Sequence, residues 1–290
     1  MFDRLARRAR QMIRETLQTA PRSPEAAQPS TQPQIAYDPQ LVPPLHLMRT
    51  EGIDVLEEWF RWGEEWSVLL RAVGGLRTTS DILEIGCGLG RIAFPLRFVL
   101  RAGRYRGFDI STQKIEFLKQ NFTAAFPTFQ FEYADVKNTE YNPTGKLAAT
   151  SFRFPYADAQ FDITFAASVF THMLPEACEH YFAESARVLK HGGQCLFSFF
   201  VLDFYKPGHE RPYAFAHSRF NFAHSWADYG SEFALVAPEN PELMTAYSSS
   251  LIKKMAARAG LASVGEPIRG LWSGTDQFVG TQDLIVLRKN

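Results

Sequence analysis

Cysteine is scarce in this chain. Three residues, Cys87, Cys178 and Cys195, are scattered among 290, and no two of them form a C-x-x-C pair. That excludes a zinc knuckle and a disulfide framework and fits a reducing compartment. An excess of either charge is lacking as well: Lys+Arg and Asp+Glu stand at 31 each. Bulk charge therefore offers nothing to nucleic acid, which wants a basic surface, and no nucleic-acid partner is expected. No apolar run approaches the roughly 20 residues that span a bilayer. The N-terminus has no apolar h-region of the secretory kind. A cytoplasmic location is the expectation. What the chain does have is 46% hydrophobic residues against 21% charged, enough for a sizeable core.

Residues 1–17 carry Phe2, Leu5, Ala9, Met12, Ile13 and Leu17 at helical spacing, with Arg4, Arg7, Arg8, Arg10 and Arg14 between them. This pattern predicts a basic amphipathic helix able to lie on an anionic membrane or dock on protein. A Pro-, Gln- and Ser-rich linker follows up to residue 44, too poor in apolar residues to pack. The folded domain is expected over residues 45–290.

From Asp81 onward the sequence alternates short apolar runs with amphipathic stretches. Strands are expected at 82–85, 105–110, 129–133, 161–167, 194–202, 261–266 and 282–288. Helices are expected at 51–73, 91–100, 112–122, 175–190 and 242–259. This rhythm predicts an α/β fold with a parallel sheet, helices on both faces, and ligands outside the carboxyl ends of the strands. Residues 203–241 break the rhythm. They are rich in histidine and aromatics, and an insertion of this length is commonly functional.

The stretch Glu84-Ile-Gly86-Cys87-Gly88-Leu-Gly90 closes the first strand with three alternating glycines, a turn that a ligand can approach closely. A dinucleotide turn would read G-x-G-x-x-G, and a P-loop would continue into Gly-Lys-Ser/Thr. Neither pattern is present. Asp109 ends the second strand, where an acid can accept from a ribose diol or simply cap the next helix. Asp135 follows the third strand. Acids at three consecutive strand ends point to a cationic or polyhydroxylated nucleoside.

These residues resemble the class I S-adenosylmethionine-dependent methyltransferases. Leu83–Gly90 is similar to that family's first motif, Gly107-Phe-Asp-Ile-Ser111 to its second-strand motif and Tyr133-Ala-Asp-Val136 to its adenine-side motif. Phe154–Asp162 resembles the run into strand four, and Arg187-Val-Leu-Lys-His-Gly-Gly193 the turn into strand five, with His191 in place of the usual proline. The resemblance implies a Rossmann-like methyltransferase fold: a doubly wound, seven-stranded, mostly parallel sheet with the final strand antiparallel. It implies S-adenosylmethionine as cofactor, held by Glu84, Gly86, Cys87, Gly88 and Gly90, by Asp109 and Ile110, by Asp135 and Val136, and by Ser168. No metal is expected.

After strand four the chain reads Ala166-Ala-Ser-Val-Phe170. The Asn/Asp-Pro-Pro-aromatic motif of nucleobase and amide N-methyltransferases is missing, and so are the carboxylates of metal-dependent catechol enzymes. The stretch Ser168–Leu174 most resembles members acting on small molecules or sugars. The expected reaction is O-methylation of a small molecule such as a sugar or glycan precursor. A lipid, quinone or polyketide-like acceptor and a non-catalytic interaction module are the alternatives. A hydroxyl acceptor gains from a general base near pH 7. His172 is the first candidate, Asp203 the second, and His209, His217 and His224 of the insertion the third.

Overall fold

The computed structural model describes residues 38–206, 221–275 and 277–290. The chain divides into two units, Met1–Pro39 and Gln40–Asn290. The basic helix expected over 1–17 lies outside the described residues, as do the linker up to residue 37, His209 and His217. No helix among the described residues is long and apolar enough to cross a membrane.

The second unit is built on strands β1 (Ile82–Ile85), β2 (Tyr105–Asp109), β3 (Phe129–Tyr133), β4 (Phe161–Ala166) and β5 (Leu189–Phe199). Then come β6 (His224–Ser225), β7 (Phe233–Leu235), β8 (Thr245–Tyr247), β9 (Leu261–Ser263) and β10 (Asp283–Lys289). After a one-turn helix over Leu45–Met48 come the helices α1 (Leu56–Ala72), α2 (Ala93–Leu96), α3 (Thr112–Phe117), α4 (Pro175–Val188) and α5 (Ser249–Arg258).

Seven strands form one sheet in the order β3-β2-β1-β4-β5-β10-β9. β1 to β5 run parallel, and β10 is antiparallel to both β5 and β9. This is the doubly wound, mostly parallel sheet expected from the sequence. The order reverses between β1 and β4. The chain leaves β1 in one direction and later returns to its other side, which opens a crevice at the carboxyl ends of these strands.

Alternation along the strands sorts the core into two layers. Leu83, Ile85, Phe197, Phe199, Ile285 and Leu287 face one way, onto α4 and α5. Ile82, Phe165, Leu196, Leu284 and Val286 face the other, onto Trp59, Trp66, Leu69 and Leu70 of α1. Aromatic rings carry much of this packing: Phe170 stacks on Phe199 with centroids 5.1 Å apart at 8°. Each such ring removed from water stabilises the fold by about 1.5–3 kcal/mol.

The departures from the expected elements have local causes. The helix expected from residue 51 begins at Leu56, because Gly52 adopts φ 71° and ends a preceding turn over Arg49–Glu51. The helix expected over 91–100 keeps regular form only across Ala93–Leu96. Pro95 has no N–H to donate, and the chain continues in tighter turns to Leu100. The helix expected over 242–259 starts at Ser249, capped by Ser248, whose Oγ accepts the Leu251 N–H at 3.0 Å. Residues 245–247 instead form β8, paired with β7 in a small three-stranded sheet, β6-β7-β8. The strand expected over 194–202 begins at Leu189, and its register with β4 shifts between Phe161 and Ile163. Gly192, with φ +74°, lies in that bulge.

One buried acid ties the end of β5 to the segment leading into β10. Asp283 is fully buried. Its carboxylate accepts the Val201 N–H at 2.8 Å, the Gly270 N–H at 2.7 Å and the Trp272 indole N–H at 2.7 Å. Burial pushes its carboxyl up to about 7, against the pull of these three donors. An acid raised in this way favours the protonated native state. Its contribution to stability is full below its unfolded value near 4 and is lost as pH rises towards about 7. Asp283→Ala leaves three buried donors unpaired and should cost roughly 3–5 kcal/mol. The shift of the urea midpoint measures this, and a loss under about 1 kcal/mol would mean that the donors find other acceptors.

Candidate active site

A cavity of about 500 Å³ opens at the carboxyl ends of β1, β2, β4 and β5. Its size falls within the roughly 300–1,000 Å³ of small-molecule sites. Its wall has two parts. One is the glycine turn with the ends of β2 and β3. The other is built from α1, the ends of β4 and β5, and the residues that lead into β10.

The glycine turn explains its own composition. Gly86 and Gly88 have φ of +70° and +50°, a region that strains any L side chain. A Cβ on Gly86 would run into Val169, and one on Gly88 into the Glu51 carboxylate. Gly88 donates its N–H to Asp109 Oδ2 at 2.8 Å. Asp109 Oδ1 accepts the Ser111 N–H at 2.9 Å, so the same carboxylate also holds the start of α3. Burial raises the Asp109 carboxyl, opposed by the Lys114 ammonium and by these two amides. Glu84 is 2% exposed and is pushed up to about 8 by burial. The Tyr105 hydroxyl donates to its Oε2.

Glu51 is a residue that the motif pattern did not suggest. Its Oε1 accepts the Leu89 N–H at 2.9 Å and lies 3.1 Å from the Lys114 ammonium. The turn over Arg49–Glu51 is thereby fastened to the glycine turn and to the first turn of α3. No spacing rule marks a glutamate 38 residues upstream of its amide partner.

Of the residues singled out in the sequence, Glu84, Gly86, Cys87, Gly88, Asp109, Ile110, Val136, Ser168 and His172 all line the cavity. Gly90 lies behind the turn, against Leu118. Asp135 is not in the cavity wall: it takes the Tyr133 hydroxyl at 2.9 Å and lies 3.8 Å from Lys146. Asp203, placed by sequence at a strand end, belongs elsewhere. Its carboxylate accepts the Ser249 N–H at 2.7 Å and the Ser249 hydroxyl at 2.8 Å, at the start of α5. His224 sits exposed on β6.

His172 is held by its surroundings. Its Nδ1 is 3.3 Å from the Glu242 carbonyl, and its ring meets Tyr141 edge-on at 5.2 Å. A carbonyl only accepts, so Nδ1 carries the proton and Nε2 of the neutral ring has the lone pair. Burial lowers its pKa below the ordinary histidine value, which keeps the ring neutral at pH 7.

The post-β4 turn is strained: Ser168 has φ 59°, unusual for a residue with a side chain. A ring of bonds holds it there. Ser168 N–H donates to Ser198 Oγ at 2.7 Å, the Ser198 hydroxyl donates to Gln282 Oε1 at 2.6 Å, and Gln282 Nε2 donates to Ser168 Oγ at 3.0 Å. Beside it, Glu65 of α1 accepts the Thr281 N–H at 3.2 Å and the Thr281 hydroxyl at 3.4 Å. Burial raises the Glu65 carboxyl. Among the described residues no group of three His, Cys, Asp or Glu side chains could hold a metal ion.

Known proteins agree with this architecture. Residues 83–197 match the family model described as "Methyltransferase domain". The PH0226 protein of Pyrococcus horikoshii OT3 is similar at 16% identity and TM-score 0.53, over 82% of this chain and 93% of that one. The 1,6-didemethyltoxoflavin-N1-methyltransferase of Burkholderia thailandensis, with S-adenosylhomocysteine bound, is similar at 16% identity and TM-score 0.50, over 93% and 94%. The 4+2 cyclase SpnF is similar at 15% identity and TM-score 0.50, over 78% and 80%. At such identities the likeness shows the fold, and a cyclase among them illustrates that a fold alone does not set the reaction. The methyltransferase-domain match falls on β1 to β5, the strands that carry the glycine turn and Asp109. Residues 83–197 form a methyltransferase domain, and the reaction this domain supports is S-adenosylmethionine-dependent methyl transfer.

Proposed function

We propose that the chain transfers a methyl group to a hydroxyl of a small, polar acceptor of the sugar or glycan-precursor type. The observation that carries this reading is His172: a neutral imidazole in the cavity wall, its ring held by the backbone of Leu243 and Glu242. A hydroxyl is the acceptor that gains from such a base.

The residues present fit the cofactor. Glycine-turn amides, the Asp109 carboxylate and a cavity of about 500 Å³ suit a nucleoside with an amino-acid tail. In this reading Asp109 holds the ribose hydroxyls, while Glu84 and the turn Gly86–Gly88 face the amino-acid end. Ile110 and Val136 flank the base, and Ser168 closes the floor towards the acceptor. When bound, S-adenosylmethionine supplies a methyl carbon made electrophilic by its sulfonium. His172 Nε2 takes the proton that the acceptor hydroxyl loses. Orientation by the surrounding wall supplies most of the remaining rate.

The test is an acceptor screen with methyl-labelled S-adenosylmethionine across sugars, nucleotide-sugars, lipids and phenolics. Label is expected on a hydroxyl of a sugar-type acceptor. Transfer confined to phenolics or lipids would replace the acceptor class, and transfer to nitrogen would remove the role of the base.

A further inference from the structure

The cavity wall contains a polar arrangement to which the cofactor reading above assigns no role. Thr281 and Gln282 are adjacent in the chain just before β10, and each holds a different polar group. Thr281 fastens the Glu65 carboxylate through two bonds, both to Oε1. Among the described residues no further hydrogen bond to Glu65 is found, so Oε2 remains to accept. Gln282 is locked into the Ser168–Ser198 ring with its Oε1 taken by Ser198. Its Nε2 donates one proton to Ser168 Oγ and retains a second. A fixed acceptor and a fixed donor, anchored through the adjacent residues Thr281 and Gln282, thus both line the cavity.

Aromatic rings stand on the same wall. Trp62 and Trp66 of α1 and Phe200 after β5 line it, and Arg91 lies over Trp62 with its guanidinium carbon 5.1 Å from the ring centroid. Burial of the Glu65 carboxyl strengthens any hydrogen bond that it accepts. A neutral ring bearing two neighbouring hydroxyls meets every one of these demands. One hydroxyl donates to Glu65, its neighbour accepts from Gln282, and the C–H face of the ring lies on tryptophan.

We infer that Glu65 and Gln282 form the acceptor-recognition pair of this enzyme and read a vicinal diol on a neutral pyranose-type ring. This rests on the O-methyltransferase reading above and adds the residues that would choose the acceptor.

The experiment reads binding, not turnover. The full chain is loaded with S-adenosylhomocysteine and titrated with methyl α-D-glucopyranoside and methyl α-D-mannopyranoside, followed by saturation-transfer NMR and tryptophan fluorescence. Tetrahydropyran, which has the ring and no diol, is the control. Both pyranosides should bind, and tetrahydropyran should not. Glu65→Gln, which keeps the shape and removes the charge, should weaken the pyranosides by about tenfold. Gln282→Leu should do the same, and S-adenosylhomocysteine affinity should be retained in Glu65→Gln. Pyranosides that bind Glu65→Gln as well as the unaltered chain would overturn the assignment. So would the absence of pyranoside binding to the loaded protein, or equal binding of tetrahydropyran. A failure of the O-methyltransferase reading shows separately, as labelled methyl that reaches no hydroxyl in the acceptor screen.

Discussion

Asp109→Ala should weaken S-adenosylhomocysteine binding by roughly a hundredfold, or about 3 kcal/mol, in a calorimetric titration. Two losses combine. The carboxylate accepts the Gly88 N–H at 2.8 Å and the Ser111 N–H at 2.9 Å, so alanine releases the glycine turn and the start of α3 together. It also removes the group proposed to accept from the ribose hydroxyls. Hydrogen bonds to a charged, buried acceptor are worth about 1.5–3 kcal/mol each, more than neutral ones. Asp109→Asn separates the two losses, because it keeps the shape and one acceptor oxygen while losing the charge. An alanine variant that binds within about threefold of the unaltered chain would remove Asp109 from the cofactor site.

His172→Ala should lower kcat by about two to four orders of magnitude and leave S-adenosylhomocysteine affinity nearly as it was. The pH profile carries the diagnostic. Burial holds the His172 pKa below its ordinary value, so the imidazole stays neutral through that value and is protonated only at lower pH. The rate of the unaltered enzyme should therefore fall on the acid side, at a pH lower than an ordinary histidine would set. The alanine variant should lose that limb. A variant with unchanged turnover would pass the role of base to another group in the cavity wall, of which Glu65 is the nearest in chemistry. Asp203 is no longer a natural successor, since its carboxylate is spent on the start of α5.

Both variants act on residues that local pattern revealed. Glu84, the alternating glycines and Asp109 lie at the ends of apolar runs, where strand geometry assigns position with little help from the rest of the chain. His172 was visible in the same way, four residues past Ser168 at the end of β4. What local pattern left open was orientation. A histidine at a cleft rim reads equally as helix cap or as base until the Glu242 carbonyl, 70 residues away, is seen to hold Nδ1. Asp135 and Asp203 had the same credentials as Asp109, acids at or just beyond strand ends. Their side chains turned instead to Tyr133 and to Ser249.

The segment around residues 203–248 was the least legible part of the described chain. Its strands are two or three residues long, too short for an alternating pattern to register. Thr245–Tyr247 was read into a helix because the residues after it are helical and nothing local marks the boundary. Its strand character comes from β7, and β7 acquires its own from pairing on both sides.

The sequence by itself determined the sheet, its parallel run and the glycine turn at the end of β1, because these depend on periodicity and on turns within a few residues. Only the tertiary structure decided which acids serve the cavity and which serve the scaffold. It also brought Glu51 to the glycine turn across 38 residues and Glu65 to Thr281 across 216. No local rule links residues so far apart. Their meeting follows from the sheet, which sets α1 against the carboxyl ends of β1 and β4 and threads β10 back beside β5. The glycine turn and Asp109 are therefore written mostly in short-range sequence, while the opposite wall of the cavity is assembled by packing.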